Sequence, residues 1–338
     1  MNITTVLPVL NEVEYIDACL DSLIGQTYPT HLHTILVMDG GSTDGTLECI
    51  HAAVERSKVK EGPLIQLHHN PGKFVAEGRN LAMTLLQKET THVLEIIGHS
   101  TVDSHHLQSL VDEWTRIADL EPRQLAALGS RVVPRRGELE TIESWIEGAL
   151  ASPFGSGGGQ FDRFTMASTT RIPAFVLHSR SALTQVGGWD ESFISSQDSD
   201  LSMRLINAGF ALWRTPITSV YMTKRTGLKR WWRMGHRYGF WRTKTVLKHP
   251  RRISLREYLP WFGLLFTTAL LGFGHPLALM PLSAYGLVLG VEGLRMTLRF
   301  KRLSMFIGVP LCMVILHASF SLGLLDGFVR KGKAASDR

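Results

Sequence analysis

The sequence has little cysteine, long stretches without acid, and no carboxylate at one strand tip where ligand chemistry would favour one. Its 338 residues include 3 cysteines. Cys19, Cys49 and Cys312 lie too far apart for a disulfide framework or a cysteine metal site, which fits a reducing compartment. The opening "MNITTVLPVLNE" lacks a basic region and a long apolar core, so no cleaved signal peptide is expected, and the N-terminal part should fold in the cytoplasm. Between Asp200 and Glu257 there is no Asp or Glu, while that interval holds 14 Lys or Arg. The run "HVLEIIGHSTVDS", from His92 to Ser104, stops at Gly98 and carries a histidine at its tip.

What is present reads first as alternation. "ITTVL", "HTILVMD", "LIQLHH" and "HVLEII" are short apolar strands. Helical patterns follow them: Glu12 to Gln26, Asp44 to about Lys58, "FVAEGRNLAMTLLQK" and "SHHLQSLVDEWTRI". This β-α-β-α order predicts an α/β fold with a mainly parallel, Rossmann-like sheet covered on both faces. In such sheets ligands gather at the carboxyl ends of the strands. The glycine-rich "PFGSGGGQF" at 153–161 reads as a lid over a ligand, with a plain linker as the rival.

Beyond Asp200 the chain turns basic and then apolar. "YLPWFGLLFTTALLGFG", "PLALMPLSAYGLVLGV" and "LSMFIGVPLCMVILHASFSLGLL" are expected to enter a membrane; the last is long enough to span one, which takes ~20 residues. Positive-inside bias puts the segment before Glu257 and "RMTLRFKRL" in the cytoplasm, so the first two would form a hairpin. The basic tail "RKGKAASDR" conflicts with a simple third span, unless Pro310 turns that segment back. "KRTGLKRWWRMGHRYGFWRTK" mixes cations with Trp231, Trp232, Tyr238, Phe240 and Trp241, as an interfacial helix does. Nucleic-acid binding is the lesser reading of such a stretch.

Candidate chemistry lies at the strand tips. Asp39 ends the second strand and can accept hydrogen bonds from a base or ribose; a plain Asp-Gly turn with Asp44 as helix cap is the structural alternative. Pro8 to Glu12 end the first strand. After the third, Lys73 suits a point contact to phosphate and Arg79 a bidentate one, with a solvated basic face as the rival. In "FISSQDSDLSMRLINAGF", Ser195 or Ser196 can cap a helix bearing Leu201, Leu205 and Ile206. Asp198 then falls in the first turn, where it can take a proton from a hydroxyl or merely complement the helix dipole. Asp200 can pair with Arg204 four residues on.

In that order, these pieces resemble the family 2 glycosyltransferases, which have a GT-A fold; the resemblance covers residues 1 to about 220. Membrane-bound glucosyltransferases of the succinoglycan-biosynthesis type are similar in the "SPFG.GG" loop, "GGWDE", and "RYGFWR" followed by "KHP". The resemblance implies that Pro8, Asn11 and Glu12 line the nucleotide pocket, Asp39 meets the base, and Lys73 and Arg79 lie near the phosphates. Asp198 corresponds to the catalytic base of an inverting transfer. Gln197 replaces an acid beside it, which should lower the Asp198 pKa. The family's Asp-x-Asp metal motif falls on Ile97, Gly98 and His99. His99 could therefore hold a divalent metal (Mn or Mg) with help from the diphosphate, or cations could replace the metal. Arg237, Trp241 and Arg242 fall on the acceptor side.

The expected architecture is thus a GT-A domain at 1–222, a basic juxtamembrane segment at 223–257 and transmembrane helices at 258–338. The expected function is transfer of a sugar from a nucleotide-sugar donor, a UDP-sugar first, to a lipid-linked saccharide. The protein would sit in the cell membrane as a multi-pass enzyme with its catalytic domain in the cytoplasm, and would bind no nucleic acid. A polyprenyl-phosphate sugar synthase and a catalytically silent membrane scaffold are the alternatives.

Overall fold

The computed structural model describes residues 1–155, 164–224 and 227–330. Residues 156–161 of the expected lid, and the tail from 331, lie outside them. The chain forms two compact units: Met1–Arg136 with Asp162–Thr223, and Gly137–Phe161 with Lys224–Arg338.

The first unit is built on nine strands. These are β1 (Ile3–Val9), β2 (His33–Asp39), β3 (Leu64–His69), β4 (His92–Glu95), β5 (Ser100–Val102), β6 (Leu125–Pro134), β7 (Ser168–Thr169), β8 (Val176–Ser179) and β9 (Ala211–Met222). Their order is β3-β2-β1-β4-β8-β6-β9-β5, with β7 paired to β9. The first four are mutually parallel, as the alternation predicts. β8 enters antiparallel between β4 and β6, and β5 pairs antiparallel with β9. The helices of the unit are α1 (Ile16–Ile24), α2 (Thr46–Val59), α3 (Val75–Leu85), α4 (His106–Leu120), α6 (Arg180–Gln185) and α7 (Gln197–Asn207); α5 (Thr141–Ala151) belongs to the second unit.

The period of two along each strand sorts side chains to two cores. Ile3, Leu7, Ile35 and Val37 pack in one cluster with Ile16, Leu20 and Leu23 of α1 and Leu107 and Leu110 of α4. Val6, Leu36 and Met38 point the other way, to Ala76 and Ala82 of α3 and Leu201 and Leu205 of α7. β2 is buried along its whole length, so its near-continuous apolar run belongs to the centre of a two-faced sheet. Each large aliphatic side chain so buried contributes ~1.5–3 kcal/mol.

The second unit is helical: α5, α8 (Leu228–Lys248), α9 (Leu259–Gly272), α10 (Met280–Phe300) and α11 (Met305–Val329). Its core joins Ile146 and Ala149 of α5, Trp231 of α8, Met296 of α10, and Val309, Cys312 and Met313 of α11. Of the three apolar segments expected to enter a membrane, one forms a helix long and apolar enough to cross it, α11, among the described residues. α9 has 14 residues, and the second half of α10 carries Glu292, Arg295 and Arg299. Pro310 does not turn the chain back: α11 runs through it without interruption.

Candidate active site

The carboxyl ends of β1 and β2 close on each other through backbone and short side chains. Asn11, at φ 55°, accepts from the Thr43 amide at 2.9 Å through Oδ1, and its own amide donates to Ser42 Oγ at 2.9 Å. The Glu12 amide donates to Thr46 Oγ1 at 2.8 Å, and Pro8 lies on β1 beside Met38. Asp39 is buried, and its carboxylate receives the amides of Gly41 at 2.9 Å and Ser42 at 3.2 Å. The carboxylate expected to meet the base is here the closure of the Asp-Gly turn. Lys73, at φ 65°, is exposed and lies so close to Gly40 that a Cβ there would fall 2.8 Å from its carbonyl oxygen.

Glu12 and His99 meet at the tips of β1 and β4. His99 Nδ1 lies 3.1 Å from Glu12 Oε1 and 3.2 Å from Oε2. A carboxylate only accepts, so Nδ1 is the donor in this pair. The approach is close because residue 98 is glycine: a Cβ there would sit 3.0 Å from Glu12 Cγ. The His99 carbonyl accepts the Thr223 amide at 2.9 Å, tying the tip to the end of β9. A carboxylate holding one ring nitrogen of histidine is the arrangement that orients an imidazole metal ligand. Among the described residues no group of three or more His, Cys, Asp or Glu could hold a metal. His99 is thus one candidate ligand with its orienting carboxylate, and any ion held there would draw most of its coordination from a bound ligand.

The second cluster centres on Arg79, which is buried. Its Nη1 donates to Asp198 Oδ1 at 2.5 Å, and Nη2 lies 3.1 Å from Glu95 Oε2. His178 Nε2 is 3.0 Å from Glu95 Oε1. Trp189 stands over the guanidinium, 5.5 Å from ring centroid to Cζ, and edge-on to His178 at 6.0 Å. Both arms of the arginine fork are thus engaged by carboxylates. In the structure Arg79 bears on Asp198 itself.

Asp198 enters on the first turn of α7. The expected serine cap is absent: Ser196 is at φ 64° and makes no side-chain cap bond, while its carbonyl accepts the amides of Ser199 and Asp200. Asp200 pairs with Arg204 at 2.8 Å, and Arg204 also donates to the carbonyls of Val186 and Gly188, each at 2.7 Å. Asn80 of α3 holds the far side of "GGWDE", donating to the Trp189 carbonyl at 2.8 Å and accepting its amide at 2.9 Å. Helices α3 and α7 therefore grip one loop, and that grip sets Asp198 beside Arg79.

Asp198 keeps 44% of its side-chain surface open, enough for a hydroxyl to reach it. The protein walls around it nonetheless strip water, and this desolvation raises its carboxyl above the ordinary value; Glu95 adds to the rise, while Arg79 opposes it. The net direction is set by this burial, with Gln197 adding no charge beside the carboxyl. Burial also pushes Glu95 upward, but Arg79 and His178 outweigh it and hold this carboxyl below its usual value. Two carboxylates on one guanidinium are thereby driven apart, the pattern that separates a structural anion from a proton acceptor.

The three acceptor-side candidates all lie on α8 in the helical unit. Trp241 is buried, edge-on to Phe240 at 5.3 Å. Arg242 lies 3.4 Å from Glu257, and Arg237 lies against Tyr238 at 5.8 Å. Glu95, His178, Trp189 and Asn80 are not marked out by the sequence. The available signal was an acid inside an apolar strand, "HVLEII", and a histidine inside another, "FVLHS".

The carboxyl edge of the nine-stranded sheet thus gathers acids, a buried arginine and histidines. The chain matches the family model described as glycosyl transferase family 2 over residues 4–142, and carries that domain there. It is 27% identical over 317 residues to "Succinoglycan biosynthesis protein ExoA" of Rhizobium meliloti (strain 1021), covering 88% of this chain and 92% of that one. It is 24% identical to a dolichyl N-acetyl-alpha-D-glucosaminyl phosphate 3-beta-D-2,3-diacetamido-2,3-dideoxy-beta-D-glucuronosyltransferase of Methanococcus voltae, covering 97% of each. Among solved structures, the mannosyltransferase PcManGT from Pyrobaculum calidifontis, in complex with GDP-Man and Mn2+, matches with a TM-score of 0.60. It is 14% identical, with 97% of this chain and 87% of that one covered. The fold is accordingly α/β and GT-A-like.

Proposed function

We propose that the chain is an inverting hexosyltransferase that moves a sugar from a nucleotide-sugar donor, a UDP-sugar in our assignment, to a saccharide carried on a lipid. The observation that carries this reading is Asp198: an open carboxylate of raised pKa, fixed by Arg79 at 2.5 Å on the first turn of α7. Asp198 takes the proton of an acceptor hydroxyl as that oxygen attacks the anomeric carbon. The bond from that carbon to the diphosphate breaks on the opposite face, and the nucleoside diphosphate departs. General-base help of this kind contributes ~10²–10⁴ in rate.

The tips of β1 and β2 and exposed Lys73 form the donor side, and Glu12 holds His99 by Nδ1, leaving Nε2 for a ligand. A divalent ion bound there would supply positive charge against the leaving group. The Pyrobaculum mannosyltransferase, solved in complex with GDP-Man and Mn2+, supports that assignment. The Methanococcus relative, named for a dolichyl phosphate sugar, supports a lipid-linked acceptor. Membrane attachment through the helical unit, on the cytoplasmic leaflet, is supported by its apolar helices and basic α8. The catalytic part falls within residues 1–222.

The test is turnover of a donor panel by the purified chain, with lipid extract as acceptor and with Mn²⁺, Mg²⁺ or chelator. A lengthened lipid-linked glycan and a product of inverted anomeric configuration are expected. A single sugar on lipid phosphate would replace the acceptor assignment, and retention of configuration would overturn the mechanism.

A further inference from the structure

α11, the one helix among the described residues both long and apolar enough to cross a bilayer, cannot be considered alone, because α8 runs beside it in the same direction. Trp231 Nε1 donates to the Cys312 carbonyl at 2.8 Å, Thr243 Oγ1 to that of Leu324 at 2.8 Å, and Lys244 Nζ to those of Gly327 at 2.8 Å and Arg330 at 2.7 Å. Partners advance together along both chains, so the helices are parallel. Between these bonds the backbones touch through glycine: a Cβ at Gly239 would collide with the Phe320 carbonyl, and one at Gly323 with that of His236. Such small-residue contacts lock the pair. Were α11 to cross a membrane, α8 would have to cross beside it over the stretch from Cys312 to Arg330.

α8 is a poor companion for a span. It carries Lys229, Arg230, Arg233, Arg237, Arg242, Lys244 and Lys248, with no acid in its sequence. Arg233, Arg237, Arg242 and Lys244 lie within the stretch that parallels α11. At the bilayer centre each Lys or Arg disfavours insertion by roughly a hundredfold. Lys244 is answered by carbonyls and Arg242 by Glu257, but Arg233 is exposed.

The other side of α11 is the reverse. Ile307, Leu311, Val314, Leu322, Leu325 and Val329 are all exposed. Their spacing of three, four or seven or more residues puts them on one stripe. By the same helical period, that stripe faces away from Cys312, Ser319, Gly323 and Gly327, which meet α8 or lie beneath it. Cations along one long side and an uninterrupted apolar stripe along the other describe a helix pair that lies in a membrane surface.

We infer that α11 does not cross the membrane: it lies in the plane of one anionic leaflet, its apolar stripe among the acyl chains and α8 above it at the headgroups. This inference rests on the membrane attachment proposed above and replaces the multi-pass topology expected from the sequence. It also removes the conflict over the basic tail, since both ends of α11 then stay on one side.

The experiment places single reporter cysteines at Ser304→Cys, before α11, and Ser336→Cys, in the C-terminal tail, in a full-length chain with Cys19, Cys49 and Cys312 replaced by serine. A membrane-impermeant maleimide is applied to sealed inside-out and right-side-out vesicles. Labelling of both positions from the same face is expected; labelling from opposite faces would overturn the inference. Since Cys312→Ser alters the core, a wild-type Cys312 version of each variant is run beside it. Flotation with liposomes containing anionic lipid separates attachment from orientation. Joint replacement of Lys229, Arg230 and Arg233 by Gln should weaken partition about fivefold per cation. A chain that never floats with any liposome would remove membrane attachment itself, whereas flotation with ends on opposite faces would remove only the in-plane orientation.

Discussion

Arg79 Nη1 donates to Asp198 at 2.5 Å while its Nη2 lies 3.1 Å from Glu95, so one buried guanidinium joins an open carboxylate to a buried one. Arg79→Lys keeps the charge but not the fork, and a lysine can serve only one of the two acids well. We expect kcat to fall ~10–100-fold with little change in KM, because Asp198 loses its fixed position, and a small misplacement near the chemistry is costly. Arg79→Ala leaves Glu95 buried without its main partner and should destabilise by ~3–5 kcal/mol. Steady-state kinetics and thermal unfolding of both variants check this pair of outcomes.

The raised pKa of Asp198 sets the sign of the pH response. A base works only when deprotonated, so activity falls as pH drops through its pKa, and the acid limb of kcat/KM should lie above the ordinary 3.8. Glu95 contributes to that rise. Glu95→Gln removes its charge and leaves more of the arginine's field for Asp198, so the acid limb should move to lower pH while the base weakens. A pH–rate profile in which Glu95→Gln leaves the limb in place, or moves it up, would contradict the assignment.

Glu12 fixes His99 from behind. Glu12→Gln keeps the shape and an amide oxygen that can accept the Nδ1 hydrogen bond but removes the negative charge behind the ring, and such outer partners typically alter metal affinity ~10–100-fold. Titration of Mn²⁺ against the protein with nucleoside diphosphate present, read by calorimetry, should show weakening of that size. His99→Ala should weaken binding further.

The loop that carries Trp189 has its own fragile point. Gly188 is at φ +69°, and a Cβ there would lie 2.5 Å from Asn80 Oδ1, the atom that accepts the Trp189 amide. Gly188→Ala should therefore destabilise by about 2 kcal/mol from the left-handed backbone and the displaced Asn80. A drop in Tm of about 5 °C is the expected reading.

Much of this architecture is legible in the sequence. The parallel half of the sheet follows from "ITTVL", "HTILVMD", "LIQLHH" and "HVLEII", because strands buried on both faces must be apolar throughout. The antiparallel half is not. β5 is three residues long and β7 two, too short for any periodic signal, and their pairing with β9 is set by tertiary contact. The site divides in the same way. Asp198 is announced by its place in "SSQDSDLSMRL", and Asp200–Arg204 by simple spacing. The burial of Arg79 is not announced, since a cation in "EGRNL" reads equally well as solvated. Only the fold brings Glu95, held by His178 on the adjacent strand, to neutralise it. Residue composition likewise marks α8 as basic and α11 as apolar, but nothing local says that the two are packed side by side.

Asp198 performs the proton transfer in this mechanism and does not hold the donor. The most direct test is single-turnover sugar transfer by Asp198→Asn beside wild type, with nucleoside-diphosphate affinity measured on the same preparations. Transfer should slow by ~10²–10⁴ while affinity changes by less than about threefold. Transfer near the wild-type rate, or a loss explained by failure to bind the nucleotide, would contradict that role.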